Sequence, residues 1–319
     1  MSVFSRWRKR KAPTIIPSLW QPPVLWQPDP VPAETEPELK VPFPAVEPEE
    51  RQRFASAPRA KRSHIIVFAN EKGGVGKSTT AFHTCIALCN KGLKVAALDV
   101  DLRQLTFDRA LNARLESARD FGVELPGPQQ ILLAQSTEAE LETKIRMAQI
   151  DNAFIVIDVG GHDSPIARRA ISLADTIVTP VNDSFIDLDM LGRIDPRTGE
   201  LKTLGAFARL VEHLREPGLA RRERALDWVV MQNRMRSLAT KNERKVVDAL
   251  AAIAPVAGFR LVPGLRERVV YRELFPLGLT LFDVEKIPSL GRAQPAAREE
   301  IFDMLDALNL KTEVNLSLR

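Results

Sequence analysis

Short apolar runs separated by longer mixed segments dominate the chain from residue 63 onward. Six runs have the length and composition of single strands: HIIVFAN (64–70), KVAALDVD (94–101), AFIVIDVG (153–160), TIVTPVN (176–182), LDWVVMQNR (226–234) and FRLVPG (259–264). The segments between them suit helices, and one helix is predicted from about Ser78 to Lys91, before Gly92. Continuous apolar strands that alternate with helices are typical of a parallel sheet covered on both faces. We therefore predict one α/β domain over residues 64–310, with a doubly wound, mostly parallel sheet and ligands at the carboxyl ends of its strands.

The first 63 residues have a different composition. They hold 12 of the 23 prolines, a short LWQP repeat, and 11 Lys+Arg against 7 Asp+Glu, which leaves the rest of the chain neutral. Because proline fixes φ and removes backbone donors, we expect a disordered proline-rich arm over residues 1–63. Residues 311–319 are expected to form a flexible C-terminal tail.

The cysteine and hydropathy patterns further limit the kinds of protein and site that this chain could represent. The two cysteines, Cys85 and Cys89, lie four residues apart on one predicted helix, so we interpret both as buried thiols rather than as a disulfide or a zinc site. No run of about 18 apolar residues occurs, so we expect no membrane span. The basic start MSVFSRWRKRKAP is followed by no apolar stretch, so we expect no secretory signal.

The segment NEKGGVGKSTT (70–80) joins the first strand to the first helix. A strand, a glycine-rich turn, Lys-Ser and a helix form the P-loop arrangement, in which backbone N–H groups surround phosphates at a helix N-terminus. Lys77 then reaches the β/γ oxygens and the Ser78 hydroxyl binds magnesium. The predicted ATP-binding residues of the loop are Lys72, Gly73, Gly74, Val75, Gly76, Lys77, Ser78 and Thr79. The general pattern has glycine where this chain has Glu71, and Lys72 follows it instead.

Three aspartates follow or end predicted strands. Asp99 and Asp101 occupy alternating positions at the end of the second strand, and Asp158 ends the third. Because the carboxyl ends of parallel strands meet at one edge, we expect the three carboxylates to converge on the P-loop. Each of them, taken alone, could instead be a simple cap of a strand end.

The KGGVGKST sequence resembles the deviant Walker A motif of the ParA/MinD group of dimerising ATPases. That resemblance implies that Lys72 crosses a subunit interface and contacts the phosphates of the ATP held by the other protomer. It also implies that Asp101 orients the attacking water, that Asp99 supports the magnesium shell, that Asp158 acts on Mg²⁺, and that Asn233 reads the adenine edge. The group usually has Asp-Thr-Pro-Gly or Asp-x-Pro where this chain has Asp158-Val159-Gly160-Gly161, which leaves the local switch geometry open.

Longer stretches are similar to the MipZ family of division-plane-positioning ATPases: DVDLRQLTF (99–107), VTPVNDSFIDLDMLGRIDP (178–196), ALDWVVMQNR (225–234) and GFRLVPGLRERVVYRELFPLGLTLFD (258–283). Membership implies an ATP-dependent homodimer that hydrolyses ATP slowly as a timer, binds double-stranded DNA without sequence preference, interacts with the ParB partition complex and inhibits assembly of FtsZ. The implied location is cytoplasmic, and nucleoid-associated or polar.

A local excess of positive charge fits the implied DNA binding. Residues 219–272 carry 12 Lys+Arg against 5 Asp+Glu. Such a patch suits sequence-independent contacts with phosphates, although some of its arginines are expected to form internal ion pairs. The candidate DNA-binding residues are Arg221, Arg222, Arg224, Arg234, Arg236, Lys241, Arg244, Lys245 and Arg260.

Several other functions share the P-loop residues. A ParA-type partition ATPase is the main alternative, because only the stretches from Val178 onward separate it from the MipZ family. A MinD-like membrane ATPase needs a basic amphipathic C-terminal helix, whereas PAAREEIFDMLDALNLK is acidic on its polar face. A tyrosine kinase would carry a tyrosine cluster, but Tyr271 is the single tyrosine, and an iron–sulfur reductase would place its cysteines near the dimer interface. A scaffold without enzymatic activity would show no ATP turnover.

Overall fold

The structure, a computed structural model, describes residues 63–182, 185–195, 197–215, 225–233, 241–291 and 294–310. The predictions for the N-terminal arm and the C-terminal tail therefore lie outside the described residues. The strands are β1 (His64–Phe68), β2 (Val95–Asp99), β3 (Gln129–Ile131), β4 (Phe154–Asp158), β5 (Thr176–Val181), β6 (Gly192–Ile194), β7 (Leu201–Leu204), β8 (Asp227–Gln232) and β9 (Arg260–Val262). The helices are α1 (Lys77–Asn90), α2 (Thr106–Asp120), α3 (Glu138–Ala148), α4 (Pro165–Leu173), α5 (Phe185–Leu188), α6 (Ala206–Leu214), α7 (Lys241–Ala257), α8 (Val269–Leu274) and α9 (Pro295–Ala307).

Seven strands form one sheet in the order β3-β2-β4-β1-β5-β8-β9, and every pairing in it is parallel. The prediction of a doubly wound α/β domain is confirmed, and each of the six predicted strands is present. Strand β3 and the antiparallel pair β6–β7 were not predicted from the sequence. These strands are three or four residues long and only partly buried, so they lack the continuous apolar run that marks a central strand.

Successive side chains of the central strand β1 point to opposite faces of the sheet, so the apolar core lies in two clusters, one on each face. Ile65 and Val67 of β1 pack into one apolar cluster, whereas Ile66 and Phe68 pack into the other. Helix α1 lies in the second cluster with both of its cysteines buried and free, as predicted for Cys85 and Cys89. Burial on both faces explains why the strands contain so few polar residues.

The register of the sheet places the acidic strand ends side by side. Asp158 at the end of β4 is the partner both of Phe68 at the end of β1 and of Asp99 at the end of β2. The P-loop leaves β1 directly beyond Phe68. The carboxyl edge of three adjacent strands therefore forms one side of a single site.

The C-terminal helix α9 packs on the core through its apolar face. Ala297, Ile301, Met304 and Leu305 are buried in the cluster that contains α1. The apolar face of α9 is therefore part of the protein core. None of the helices in the described part of the chain is long and apolar enough to cross a membrane.

Candidate functional site

The glycine-rich loop presents the start of α1 to a cavity of about 430 Å³. Gly74 and Gly76 have φ values of 77° and 93°, in the left-handed region that favours glycine. Helix α1 begins at Lys77, so the N–H groups of its first turn have no partners within the helix and point toward the cavity. This is the backbone geometry that binds phosphate.

Lys77 lies at the base of this cavity and is largely buried. Its Nζ donates a hydrogen bond of 2.8 Å to the carbonyl oxygen of Lys72. Burial lowers the pKa of Lys77 from its ordinary value, although the nearby carboxylates Asp158 and Asp101 oppose that shift. A polyphosphate entering the cavity would bring further negative charge next to this buried ammonium group.

Asp158 is buried beneath the loop and receives a hydrogen bond from the hydroxyl of Ser78. Its other oxygen, Oδ1, has no hydrogen-bond partner among the described residues. Burial, reinforced by the charge of Asp99, raises the pKa of Asp158 to about 8. A buried carboxylate with an unpartnered oxygen next to a hydroxyl is an arrangement that a divalent cation would stabilise.

Asp99 holds the chain that follows β2. Its Oδ1 accepts a 2.9 Å hydrogen bond from the backbone N–H of Asp101, and its Oδ2 accepts one of 2.9 Å from Phe107 N–H at the start of α2. Burial raises the pKa of Asp99 to about 6, while these N–H groups act in the opposite direction. Asp99 therefore fixes the backbone on which Asp101 is carried.

Asp101 lines the cavity together with Lys77, Ser78 and Asp158, so the structure brings the predicted phosphate-site residues together. Its Oδ1 accepts hydrogen bonds from the backbone N–H groups of Arg103 and Gln104, at 3.2 and 3.3 Å. The same cavity is lined by residues that the sequence analysis missed: Arg103, Gln104, Thr106 and His162. His162 directly follows Asp158-Val159-Gly160-Gly161, the segment that departs from the usual ParA/MinD pattern. That departure is the sequence feature that could have drawn attention to His162.

The amine of Lys72 forms an ion pair with Asp187 of α5. The side chain of Asp187 is 1% exposed, whereas that of Lys72 is 42% exposed. The loop beneath Lys72 is fixed by Asn70, whose Oδ1 accepts the Lys72 N–H and whose Nδ2 donates to the carbonyl of Pro180, each at 2.7 Å. In this single chain the additional lysine is therefore bound by its own protomer, through a residue that the sequence analysis did not identify.

Asn233 contacts the P-loop directly. Its Nδ2 donates a 2.8 Å hydrogen bond to the carbonyl oxygen of Val75 and lies 2.1 Å from the position that a Cβ on Gly76 would occupy. Any other residue at position 76 would therefore displace Asn233. Asn233 also lines a second cavity, of about 230 Å³, with the side chains of Leu265, Tyr271 and Phe275. This partly apolar space next to the phosphate loop suits a flat aromatic base.

The predicted DNA-binding residues fall into three groups. Arg244 and Lys245 are exposed on α7. The guanidinium of Arg260 donates two hydrogen bonds to Asp227 and one each to the carbonyls of Ala307 and Leu308, so Arg260 is a structural residue and we remove it from the DNA surface. The remaining candidates lie outside the described side chains: Arg221, Arg222, Arg224, Arg234, Arg236 and Lys241.

Comparison with known proteins gives one family match. The family model described as ATPase MipZ matches residues 64–312. Protein ParA of Rhizobium radiobacter is 32% identical over 124 residues, which cover 39% of this chain and 50% of that protein. The chromosome-partitioning ATPase Soj of Thermus thermophilus is 26% identical over 142 residues, covering 39% of this chain and 57% of Soj. The chain thus spans about half the length of these curated relatives.

Solved structures also resemble the whole domain. A Cyanothece McdA variant in complex with ATP has a TM-score of 0.54 at 20% identity, and the match covers 80% of this chain and 100% of that one. The MinC:MinD cell division complex of Aquifex aeolicus has a TM-score of 0.52 at 16% identity, with 80% and 99% covered. The fold is that of the ParA/MinD-type P-loop ATPases.

Proposed function

Because the chain belongs to the ATPase MipZ family, we propose that it is an ATP-dependent, dimerising regulator that positions the division plane by inhibiting FtsZ assembly near the chromosome origins. The observation that carries this proposal is the family match, which extends from β1 beyond the end of α9. The assembled phosphate site supports the ATP-dependent part. The division target is supported by the family match alone and needs a direct test.

The phosphate site fits Mg²⁺-ATP. Ser78 would supply a hydroxyl ligand and Asp158 a carboxylate that acts through water, which agrees with the preference of Mg²⁺ for oxygen ligands and retained waters. No group of three His, Cys, Asp or Glu side chains within the described residues could hold a metal on its own. The ion would therefore depend on the nucleotide for further ligands, and Asp99 remains a predicted support of its shell. Bound magnesium would neutralise charge on the β- and γ-phosphates.

Hydrolysis requires this chain to hold a water molecule in line with the γ-phosphorus. We assign that task to Asp101, because its carboxylate reaches the cavity and its backbone is fixed through Asp99. Lys77 would leave the Lys72 carbonyl to contact the β/γ oxygens. These residues would bind ATP and orient the water but include no strong base, which is consistent with slow ATP hydrolysis. Slow hydrolysis suits a regulator whose active ATP-bound state lasts for a limited time.

The proposed homodimer requires Lys72 to reach the nucleotide of the other protomer. Lys72 is partly exposed and linked to its own chain through one side-chain ion pair, so a competing polyphosphate could draw it away. Negative charge on two facing nucleotides would then be neutralised from both sides. The ATP complex of the similar McdA supports nucleotide binding by this fold.

FtsZ sedimentation tests the division function. The purified ATP-bound protein is expected to lower the amount of sedimenting FtsZ polymer, and the protein without ATP is expected to have less effect. The matched control is Lys77→Ala, which removes the amine from the phosphate site. Unchanged FtsZ polymer at a molar excess of ATP-bound dimer would reject the division target.

Binding to double-stranded DNA is the second part of the proposal. The exposed cations Arg244 and Lys245 on α7 support it, and the ParB complex is proposed as a further partner through the family match. We expect the ATP-dimer to retard any duplex more than the monomer, with an affinity that falls steeply as salt rises. Gel-shift measurements with Arg244→Ala/Lys245→Ala should show weaker binding on all sequences alike. Preference for one operator, or no dependence on salt, would contradict this surface.

A ParA-type partition ATPase is the alternative function. It is favoured by the alignments with ParA and Soj, and it would share the phosphate chemistry. The two functions differ in the FtsZ assay, because a partition ATPase should leave FtsZ polymer unchanged while still binding DNA.

A further inference from the structure

Two consecutive glycines allow the segment after β4 to lie unusually close to both the P-loop and Asp101. A Cβ on Gly161 would come within 3.2 Å of the backbone nitrogen of Gly73 and 3.3 Å of the carbonyl carbon of Lys72. A Cβ on Gly160 would come within 2.8 Å of Oδ2 of Asp101. A side chain at position 160 would displace the carboxylate of Asp101, and one at position 161 would press on the backbone of the P-loop. Gly160 and Gly161 therefore permit the close approach of this segment to the P-loop and to Asp101.

The same geometry brings a histidine to the reacting side of the cavity. Cε1 of His162 lies 3.1 Å from the Cβ position of Gly160, and Oδ2 of Asp101 lies 2.8 Å from the same position. The carboxylate oxygen and the ring carbon are therefore within about 6 Å of each other, because their separation cannot exceed the sum of those distances. His162 is exposed and lines the cavity that contains Lys77, Ser78 and Asp158.

Because Gly160 has no side chain, nothing of that residue fills the space between Asp101 and His162 that a Cβ would occupy. A water needs two to four polar partners, and two groups no more than about 6 Å apart can share one water, because each hydrogen bond spans about 3 Å. The carboxylate of Asp101 accepts from such a water, and an imidazole nitrogen provides a second polar contact. We propose that His162 contacts the attacking water together with Asp101 and is a further catalytic residue of this ATPase; this inference rests on the proposed ATP hydrolysis.

The step that His162 would assist is ordinary phosphoryl transfer to water. The water oxygen bonds to the γ-phosphorus, and the bond from that phosphorus to the β–γ bridging oxygen breaks with its electron pair remaining on ADP. The proton lost by the water passes to Asp101 and then to solvent. His162 narrows the orientations of the water before attack, so its contribution is one of positioning at the reacting atom.

Single-turnover ATP hydrolysis with excess protein is the test. His162→Ala should lower the rate about tenfold, as expected for loss of one hydrogen bond to a reacting water, while ATP affinity stays within about twofold. His162→Gln keeps a polar side chain and should recover most of the rate. His213→Ala, at an exposed histidine of α6 outside the phosphate cavity, should behave as the unchanged protein.

A double variant separates a shared water from an independent effect. If both residues hold one water, adding His162→Ala to Asp101→Ala should slow hydrolysis no further. A second readout is the lifetime of the ATP-dimer after removal of free ATP, which His162→Ala should lengthen. An unchanged rate and lifetime for His162→Ala, or a further tenfold loss in the double variant, would overturn the role of His162. If the unchanged protein hydrolyses no ATP, the proposed function fails and this inference fails with it.

Discussion

Replacing Asp187 by Asn tests whether the ion pair with Lys72 opposes formation of the dimer. In the single chain the Lys72 amine is bound to a carboxylate that is 1% exposed. The same amine is proposed to contact the nucleotide of the other protomer. The Asp187→Asn change removes the charge but keeps the size of the side chain, so it weakens the contact within the protomer and leaves the proposed contact between protomers intact.

The expected change in the dimer dissociation constant follows from the exposure of the Lys72 side chain and from the twofold symmetry of the proposed dimer. Lys72 is 42% exposed but Asp187 is buried, so opening the ion pair is expected to cost at least about 1 kcal/mol, the upper end for solvent-accessible pairs. Two such pairs must open in a twofold dimer, which makes at least about 2 kcal/mol and a dimer dissociation constant at least about 30-fold lower in the variant. Lys72→Ala should have the opposite result: ATP still binds, but the dimer is lost.

Sedimentation velocity with Mg²⁺-ATP over a dilution series measures this constant. The background should be Asp101→Ala, in which ATP is expected to bind and to be hydrolysed far more slowly, so that dimer affinity is separated from turnover. Asp189→Asn is the matched control, because Asp189 lies two residues further on and pairs only with the exposed Arg193, at 3.8 Å, among the contacts described. A weaker dimer in Asp187→Asn would show that Asp187 acts within the dimer, and a change below about twofold would refute the reasoning.

Three further outcomes are expected. Lys77→Ala should abolish binding of a fluorescent ATP analogue, because it removes the amine from the base of the phosphate cavity; residual tight binding would contradict that placement. Arg114 donates two hydrogen bonds of 2.8 Å to the buried carboxylate of Asp283. Arg114→Ala should lower the free energy of unfolding by about 3 to 5 kcal/mol, because it leaves that carboxylate without its ion-pair partner. In urea titrations, Arg298→Ala, in a more exposed pair, should cost less than about 1 kcal/mol. Burial raises the pKa of Asp158 to about 8 in the folded protein, so the folded state holds this proton more tightly than the unfolded chain does. The nucleotide-free protein should therefore lose stability as pH rises from about 4 to 8. Asp158→Asn should lose less, as measured by the melting temperature at pH 5 and pH 8.5. Equal pH dependence in both proteins would exclude Asp158 as the cause.

Much of the fold was predictable because its strands are buried on both faces. Runs such as those of β1 and β4 are continuously apolar, and they end at the glycine loop and at Asp158, so sequence order alone indicated a parallel sheet with phosphate chemistry at one edge. The short β3, β6 and β7 were missed, because partly exposed strands carry no continuous apolar signal.

Local sequence determined which residue types form the site, whereas the tertiary structure decided what each of them contacts. The P-loop spacing identified Lys72 and Lys77, but only the fold brings α5 close enough for Asp187 to bind Lys72 across 115 positions of chain. In the same way, the glycines at 160 and 161 gave no sign of their purpose until the packing showed P-loop backbone on one side and Asp101 on the other. Strand and loop patterns depend on neighbours in sequence and are readable from it. Ion pairs and close approaches between distant segments depend on how the sheet orders its strands, which no local pattern encodes.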